Sequence, residues 1–264
     1  MDNNMNCKIC NNQSYFFANG KILQKHLIAY YQCGQCGFIQ TEEPYWLTEA
    51  YSEAINESDV GIVSRNISYA RLAKIIITAF FDSSGRFIDY AGGYGLFVRL
   101  MRDYGFDFYH FDKYCENLFA KGFDLDESRN VSFEVLTAFE VFEHFIDPVA
   151  ELDELLKLSS NVLFSTELVP PSNPKPEEWW YYGLEHGQHI SFYNIKSLQC
   201  LARSKKLFFH TNRRNLHLFT KKKISNLLFR LICSGSTSKI LDTFIRRKSL
   251  LASDYESITG ISLI

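Results

Sequence analysis

The sequence has no apolar run long enough to cross a bilayer. The longest, around Ile75 to Phe81, falls far short of the roughly 20 residues that a spanning helix needs. No N-terminal apolar h-region is present either, so a cytoplasmic protein is expected. Charge of one sign is missing too. With 28 Lys and Arg against 30 Asp and Glu, the formal net charge of −2 gives no global pull toward nucleic acid. Internal repeats are absent. What is present suffices for a packed core: 264 residues, 46% hydrophobic and 16% aromatic, hold one sizeable α/β domain plus a small accessory module.

Seven cysteines, an odd number, argue against a disulfide framework, and four of them fall into two Cys-x-x-Cys pairs, Cys7/Cys10 and Cys33/Cys36. Gly34 and Gly37 let the second knuckle fold around an ion, and four thiolates can close a tetrahedral site. Residues 1–43 therefore read as a structural zinc ribbon, too small to fold by burial alone. A redox dithiol needs only one pair and a thioredoxin-like context, which is absent. The ribbon's only lysines and arginines are Lys8, Lys21 and Lys25, so it is not a basic nucleic-acid reader. Cys115, Cys200 and Cys233 lie in apolar segments and are expected to be buried thiols.

Residues 44–84 form a helical connector, with Tyr45, Trp46, Leu47, Ala50 and Tyr51 in one periodic segment and Ile67, Ala70, Leu72, Ile75 and Ile76 in another. The polar piece 59–66 between them reads as plain connector, with a cover over a pocket as the alternative. From Gly85 the pattern alternates: strand 86–90, helix from about 95, strand 107–111, helix from 114, strand 132–138, helix 147–158, strand 161–166. That order implies a parallel, doubly wound α/β sheet. A loop rich in proline and tryptophan (167–188), a helix near 195–204 and two runs, 206–211 and 215–220, close enough for an antiparallel hairpin, complete a core over 85–220. Residues 221–264 are a helical extension mixing Leu, Ile and Phe with Lys221, Lys222, Lys223, Arg230, Lys239, Arg246, Arg247 and Lys248. Solvated faces of amphipathic helices are the expectation there, with phosphate binding or a membrane surface as alternatives.

The densest signal is the run from Phe87 to Gly95, an apolar strand carrying Asp89, then Ala91, Gly92, Gly93 and Gly95 before the periodic Leu96, Phe97, Leu100 and Met101. Glycines at a helix N-terminus place free N–H groups before a ligand. A G-x-G-x-x-G nicotinamide fingerprint fails, because Val98 stands where the third glycine belongs. The fit is to acid-x-small-x-Gly-x-Gly. Asp112, with Lys113 beside it, closes strand 107–111, where a carboxylate can accept both ribose hydroxyls. Thr137 to Pro148 follows the next apolar strand and contains Glu140-Val141-Phe142-Glu143-His144.

These three segments, in order and at this spacing, resemble the class I S-adenosylmethionine-dependent methyltransferases. The resemblance implies a Rossmann-like seven-stranded sheet and an S-adenosylmethionine cofactor. Asp89, Ala91, Gly92, Gly93 and Gly95 would hold its methionine end, Asp112 its ribose, and the backbone of Phe139 and Glu140 would line the pocket. His144 is read as bracing its loop, with a catalytic role as the alternative.

Residues 179–193 follow the strand 161–166 and carry two histidines, a glutamate and several tyrosines. His186 and His189 are candidates for the base that takes an acceptor's proton, with Glu185 or Tyr182 orienting one of them or binding an acceptor hydroxyl. A packed aromatic loop is the plain alternative. Over residues 1–220 the combination is similar to sugar-modifying methyltransferases with an N-terminal zinc module. The likeness stops short of their large C-terminal domain, and Tyr182 lies three places before Glu185 where those enzymes show Tyr-x-Glu-His. The expected acceptor is an oxygen of a nucleotide sugar, glycan precursor or phosphorylated metabolite of surface polysaccharide biosynthesis. C-methylation of a keto-deoxysugar, nucleic-acid binding through the zinc ribbon and nicotinamide oxidoreduction stay as alternatives.

Overall fold

Two runs rich in aromatic and aliphatic residues, 13–22 and 26–33, flank a tight turn at 23–25 and pair as an antiparallel hairpin. The computed structural model describes residues 5–51, 60–126, 128 and 131–263. In chain order its strands and α-helices are β1 (Met5–Asn6), β2 (Gln13–Ile22), β3 (His26–Cys33), β4 (Ile39–Thr41), α1 (Leu47–Ala50), α2 (Ile62–Phe80), β5 (Arg86–Tyr90), α3 (Leu96–Asp103), β6 (Asp107–Phe111), β7 (Val135–Ala138), α4 (Pro148–Leu158), β8 (Val162–Ser165), β9 (Ser191–Phe192), α5 (Ile195–Ser204), β10 (Phe208–Thr211), β11 (Leu216–Thr220), α6 (Asn226–Ile232), α7 (Gly235–Phe244) and α8 (Leu251–Thr259). No described helix is long and apolar enough to cross a membrane.

The chain divides into two compact units. The first takes residues 1–56, 140–154 and 164–221. It contains an antiparallel sheet of order β1-β2-β3-β4-β9, with the cysteine knuckles at the β1–β2 and β3–β4 turns. This sheet is more than a metal-dependent ribbon. Ile22, Ile28, Tyr30, Ile39, Trp46, Tyr181, Tyr182 and Phe192 form one buried cluster. At roughly 1.5–3 kcal/mol per large apolar side chain removed from water, burial supports the unit alongside any metal. The antiparallel β10–β11 hairpin forms as expected, and α5 starts at the Asn194 cap, whose side chain accepts the Ser197 N–H.

The second unit takes residues 57–139, 155–163 and 222–264. Here β5 pairs in parallel with both β6 and β7, the βα alternation read from the sequence. Phe87, Phe97, Phe106 and Phe108 stack in its core. Strand β8 is divided between the units, and the hydrogen-bonded order of its sheet is β10-β11-β8-β7-β5-β6: six described strands, where the resemblance implied seven.

Three expectations need correction. No helix forms from 114; side chains of Asp112 and Asn117 instead cap the backbone of 114–120 as an ordered loop. Cys115, Cys200 and Cys233 are half-buried rather than buried. Of the connector, 52–59 lies outside the described residues, and Ile62 to Asn66 are the first turn of α2. The extension 222–264 is tied down by its charges. Arg102 donates to both oxygens of the buried Asp254 (2.9 and 2.7 Å), Lys222 pairs with Glu134 at 3.0 Å, and Arg247 donates to the Gly105 carbonyl at 3.0 Å.

Candidate functional site

In the second unit, β5 delivers Asp89 into the core and the chain turns back at once. Ala91, Gly93 and Gly95 all have positive φ (55°, 56° and 83°), a conformation that favours glycine. Asp89, 3% exposed, accepts a hydrogen bond from the Thr137 hydroxyl at 2.6 Å, and burial pushes its carboxyl up to about 7. A β-carbon on Gly92 would stand 2.6 Å from an Asp89 oxygen, so the close approach itself requires glycine. One on Gly93 would meet nothing within 4 Å. That side of the turn is open.

The N–H groups of the glycine turn are less free than the sequence implied. Gly92 donates to the Phe111 carbonyl (3.2 Å), Gly93 to Asp112 Oδ2 (2.8 Å) and Gly95 to the Gly92 carbonyl (3.0 Å). The Gly93 carbonyl in turn accepts from His110 Nε2 at 2.8 Å, so this peptide is held at both ends. Asp112 also accepts the N–H groups of Tyr114 (2.7 Å) and Cys115 (2.8 Å) through Oδ1. Three of its four lone-pair positions are thus taken. The fourth has no partner among the described residues, which leaves room for a ribose hydroxyl. Lys113 is exposed, with its ammonium 5.5 Å from the Tyr114 ring. Phe139 stacks on Tyr69 with ring centroids 4.5 Å apart and meets Phe97 edge-on.

Sequence reasoning missed His110 and Asn117. His110 sits one register before the strand end that drew attention, and Asn117 packs under Gly95 while capping Ala120. The polar residues at inward-facing positions around a glycine turn are the signal that was available.

The first unit carries a second constellation. Glu140, at φ 56°, bonds through its N–H and its carboxylate to the Ser165 hydroxyl. Three residues on, Glu143 is fully buried; the Tyr181 and Thr166 hydroxyls act on its carboxyl, but neither reaches its oxygens in full hydrogen-bond geometry. Burial, reinforced by the charge of Glu140, raises its carboxyl to about 8. His144 braces its loop as expected, with Nδ1 2.9 Å from the Tyr51 hydroxyl and 3.1 Å from the Gln188 carbonyl. His189 Nδ1 lies 2.6 Å from the Tyr181 carbonyl. A carbonyl only accepts, so Nδ1 carries the proton in both rings and each Nε2 keeps a lone pair. His186 is the reverse: its Nδ1 accepts the Gln188 N–H at 3.1 Å, leaving Nε2–H as a donor. Burial lowers the pKa of all three, His144 to about 4, which keeps the rings neutral near pH 7.

The structure does not bring Tyr182 to this cluster as a free hydroxyl. It is buried against Tyr30 and Phe192, and its O–H donates to the Pro174 carbonyl at 3.1 Å. Its place is in the packing. Glu185 is exposed and partly offsets the lowering at His186.

The Sγ atoms of Cys7, Cys10, Cys33 and Cys36 lie within 4.8 Å of one another, with Cys7–Cys36 and Cys10–Cys33 each at 3.5 Å. Tetrahedral zinc–thiolate bonds of about 2.3 Å would set sulfurs about 3.8 Å apart, so the four residues fit the ion. Backbone N–H groups of Ile9, Gln35 and Cys36 point at the sulfurs of Cys7 and Cys33 at 3.4 Å, as thiolate charge requires.

A family model described as a methyltransferase domain matches residues 64–204, just over half of the chain. No curated protein matches the sequence. Among solved structures, the chain is similar to CalO1, a methyltransferase in calicheamicin biosynthesis in its SAH-bound form, at 17% identity, 68% of this chain, 60% of that one and TM-score 0.44. The chain thus spans less than two thirds of that protein. It is also similar to a SAM-dependent methyltransferase from Thermotoga maritima, possibly acting on histamine (12% identity, 67% and 100% covered, TM-score 0.47). A third is the plantazolicin methyltransferase BpumL in complex with SAH (12% identity, 74% and 88% covered, TM-score 0.47).

Proposed function

The chain belongs to the methyltransferase-domain family, and from that premise we propose that it is an S-adenosylmethionine-dependent methyltransferase acting on an oxygen of a small polar acceptor. The acceptor class we favour is a nucleotide sugar, a glycan precursor or a phosphorylated metabolite. The methyl donor is assigned to the turn at Asp89 to Gly95, where Gly93 leaves an open side beside the one unused lone pair of Asp112. Zinc at Cys7, Cys10, Cys33 and Cys36 is assigned a structural role, tying the β1–β2 and β3–β4 turns together.

The acceptor is assigned to the cluster of Glu143, His144, His186 and His189, and one observation carries this. With Nδ1–H given to the Tyr181 carbonyl, His189 presents Nε2 as a desolvated proton acceptor, while His186 presents Nε2–H as a donor. In the reaction the acceptor oxygen bonds to the methyl carbon, the carbon–sulfur bond breaks with its electron pair staying on sulfur, and S-adenosylhomocysteine leaves. The acceptor's proton goes to a general base. Sulfonium is already a good leaving group, so orientation and one proton acceptor suffice.

Incubating the full chain with S-adenosylmethionine and a panel of nucleotide sugars and phosphorylated metabolites tests the acceptor. A product heavier by one methylene, with an O-methyl carbon resonance, is expected. A C-methyl resonance, or turnover only with nucleic acid, would overturn the assignment.

A further inference from the structure

We infer that Glu143, His144 and His189 form a binding site for one divalent transition-metal cation, separate from the four-thiolate centre. One ligand atom from each residue lies within 4.8 Å of the others. The arrangement is built rather than incidental. Glu143 has 0% of its surface exposed and no salt-bridge partner among the described residues: the hydroxyls of Tyr181 and Thr166 face it, but neither meets its oxygens in full hydrogen-bond geometry, and an ionised carboxylate buried without a counter-charge is costly. A cation in front of it supplies the missing partner.

The Nδ1 hydrogen bonds of both histidines leave Nε2 as the nitrogen that could ligate. A metal-binding imidazole commonly donates its other N–H to a carbonyl or carboxylate, which fixes the tautomer and turns the lone pair inward. His144 has the Gln188 carbonyl in that place and His189 the Tyr181 carbonyl. His186 has the opposite tautomer and is excluded as a ligand, although its ring centroid is only 4.8 Å from that of His189. Two imidazoles and one carboxylate suit Mn²⁺, Fe²⁺, Co²⁺ or Zn²⁺, whereas sulfur ligands are absent from this set. With the site empty, His189 Nε2 is the proton acceptor described above; with a cation bound that lone pair is taken, and an acceptor hydroxyl on an open coordination position would be made more acidic by the cation instead. That role rests on the methyl-transfer reading; the binding does not.

The test is titration of the full-length, zinc-loaded chain with Mn²⁺, reading bound ion by electron paramagnetic resonance and calorimetry. One Mn²⁺ per chain is expected. Glu143→Gln and His189→Ala should each weaken binding at least tenfold, with His186→Ala within about threefold of the parent. Should Glu143→Gln fail to fold, the parent titrated with Co²⁺ serves: visible bands of a nitrogen–oxygen site without added thiolate charge transfer are expected. Absence of Mn²⁺ and Co²⁺ binding beyond the cysteines, or equal binding in parent and variants, would overturn the inference. Turnover without cation binding would sink this site and leave methyl transfer standing; cation binding without S-adenosylhomocysteine binding would do the reverse.

Discussion

The carboxylate of Asp112 accepts the backbone N–H of Gly93 at 2.8 Å, which joins the end of β6 to the glycine turn after β5. Asp112 is therefore a positioning residue as well as a candidate ribose acceptor. Replacing it with alanine removes the turn's anchor together with the open lone pair. At about 1.5–3 kcal/mol for a hydrogen bond to a charged group, Asp112→Ala should weaken S-adenosylhomocysteine binding by roughly tenfold or more, measured by calorimetry. Unchanged affinity would remove Asp112 from the site.

Gly92 and Gly93 should fail differently when given a methyl group. Gly92→Ala pushes a β-carbon to 2.6 Å from Asp89 and 3.0 Å from His110, both buried, so the melting temperature should drop. Gly93→Ala meets no atom within 4 Å and carries only left-handed strain of about 1–2 kcal/mol. Its melting temperature should fall less, while the open side closes and cofactor affinity drops. Thermal scans with and without S-adenosylhomocysteine separate the two, and equal behaviour would count against an open face at Gly93.

Asp89 gives a pH signature. Its carboxyl is raised to about 7 in the fold, against about 3.9 in an unfolded chain, so the folded state binds more protons over that interval. Its contribution to stability is complete below pH 4 and is lost as the pH climbs to 7. Asp89→Asn can still accept from Thr137 and does not titrate. Urea unfolding should show the variant gaining on the parent between pH 4 and 7, with no further change above; a gap independent of pH would contradict the burial account.

The thiolate centre predicts a coupled loss. Cys36→Ser should abolish stoichiometric zinc, measured by elemental analysis, and lower the melting temperature. The unit keeps its own buried cluster around Tyr30, Ile39 and Phe192, so partial destabilisation of roughly 5–10 °C is expected rather than unfolding. Full zinc content in this variant would remove Cys36 from the ligand set.

Much of this was legible because it is local. The Cys-x-x-Cys knuckles, the glycine turn, the βα alternation and the 215–220 hairpin arm each depend on neighbours within a few residues. What escaped depends on the turn geometry that aims a side chain at a near neighbour, or on partners far apart in sequence. Asp112 looked like a free carboxylate until Tyr114, Cys115 and Gly93 were seen spending three of its lone pairs. Tyr182 looked like an available hydroxyl, but Tyr30, more than a hundred positions earlier, packs against its ring. His186 and His189 are indistinguishable in sequence; the Gln188 N–H and the Tyr181 carbonyl give them opposite tautomers. Ser191 and Phe192 read as part of the histidine-bearing segment 179–193, whereas β9 extends the cysteine-bearing sheet by pairing with β4.

The most direct test of the account is calorimetry of the purified full chain with S-adenosylhomocysteine and, separately, with NAD. One equivalent of S-adenosylhomocysteine should bind, with no heat from NAD and at least tenfold weaker binding in Asp112→Ala. NAD binding, or no S-adenosylhomocysteine binding by a folded chain, would contradict the assignment of the turn from Asp89 to Gly95 as the methyl-donor site.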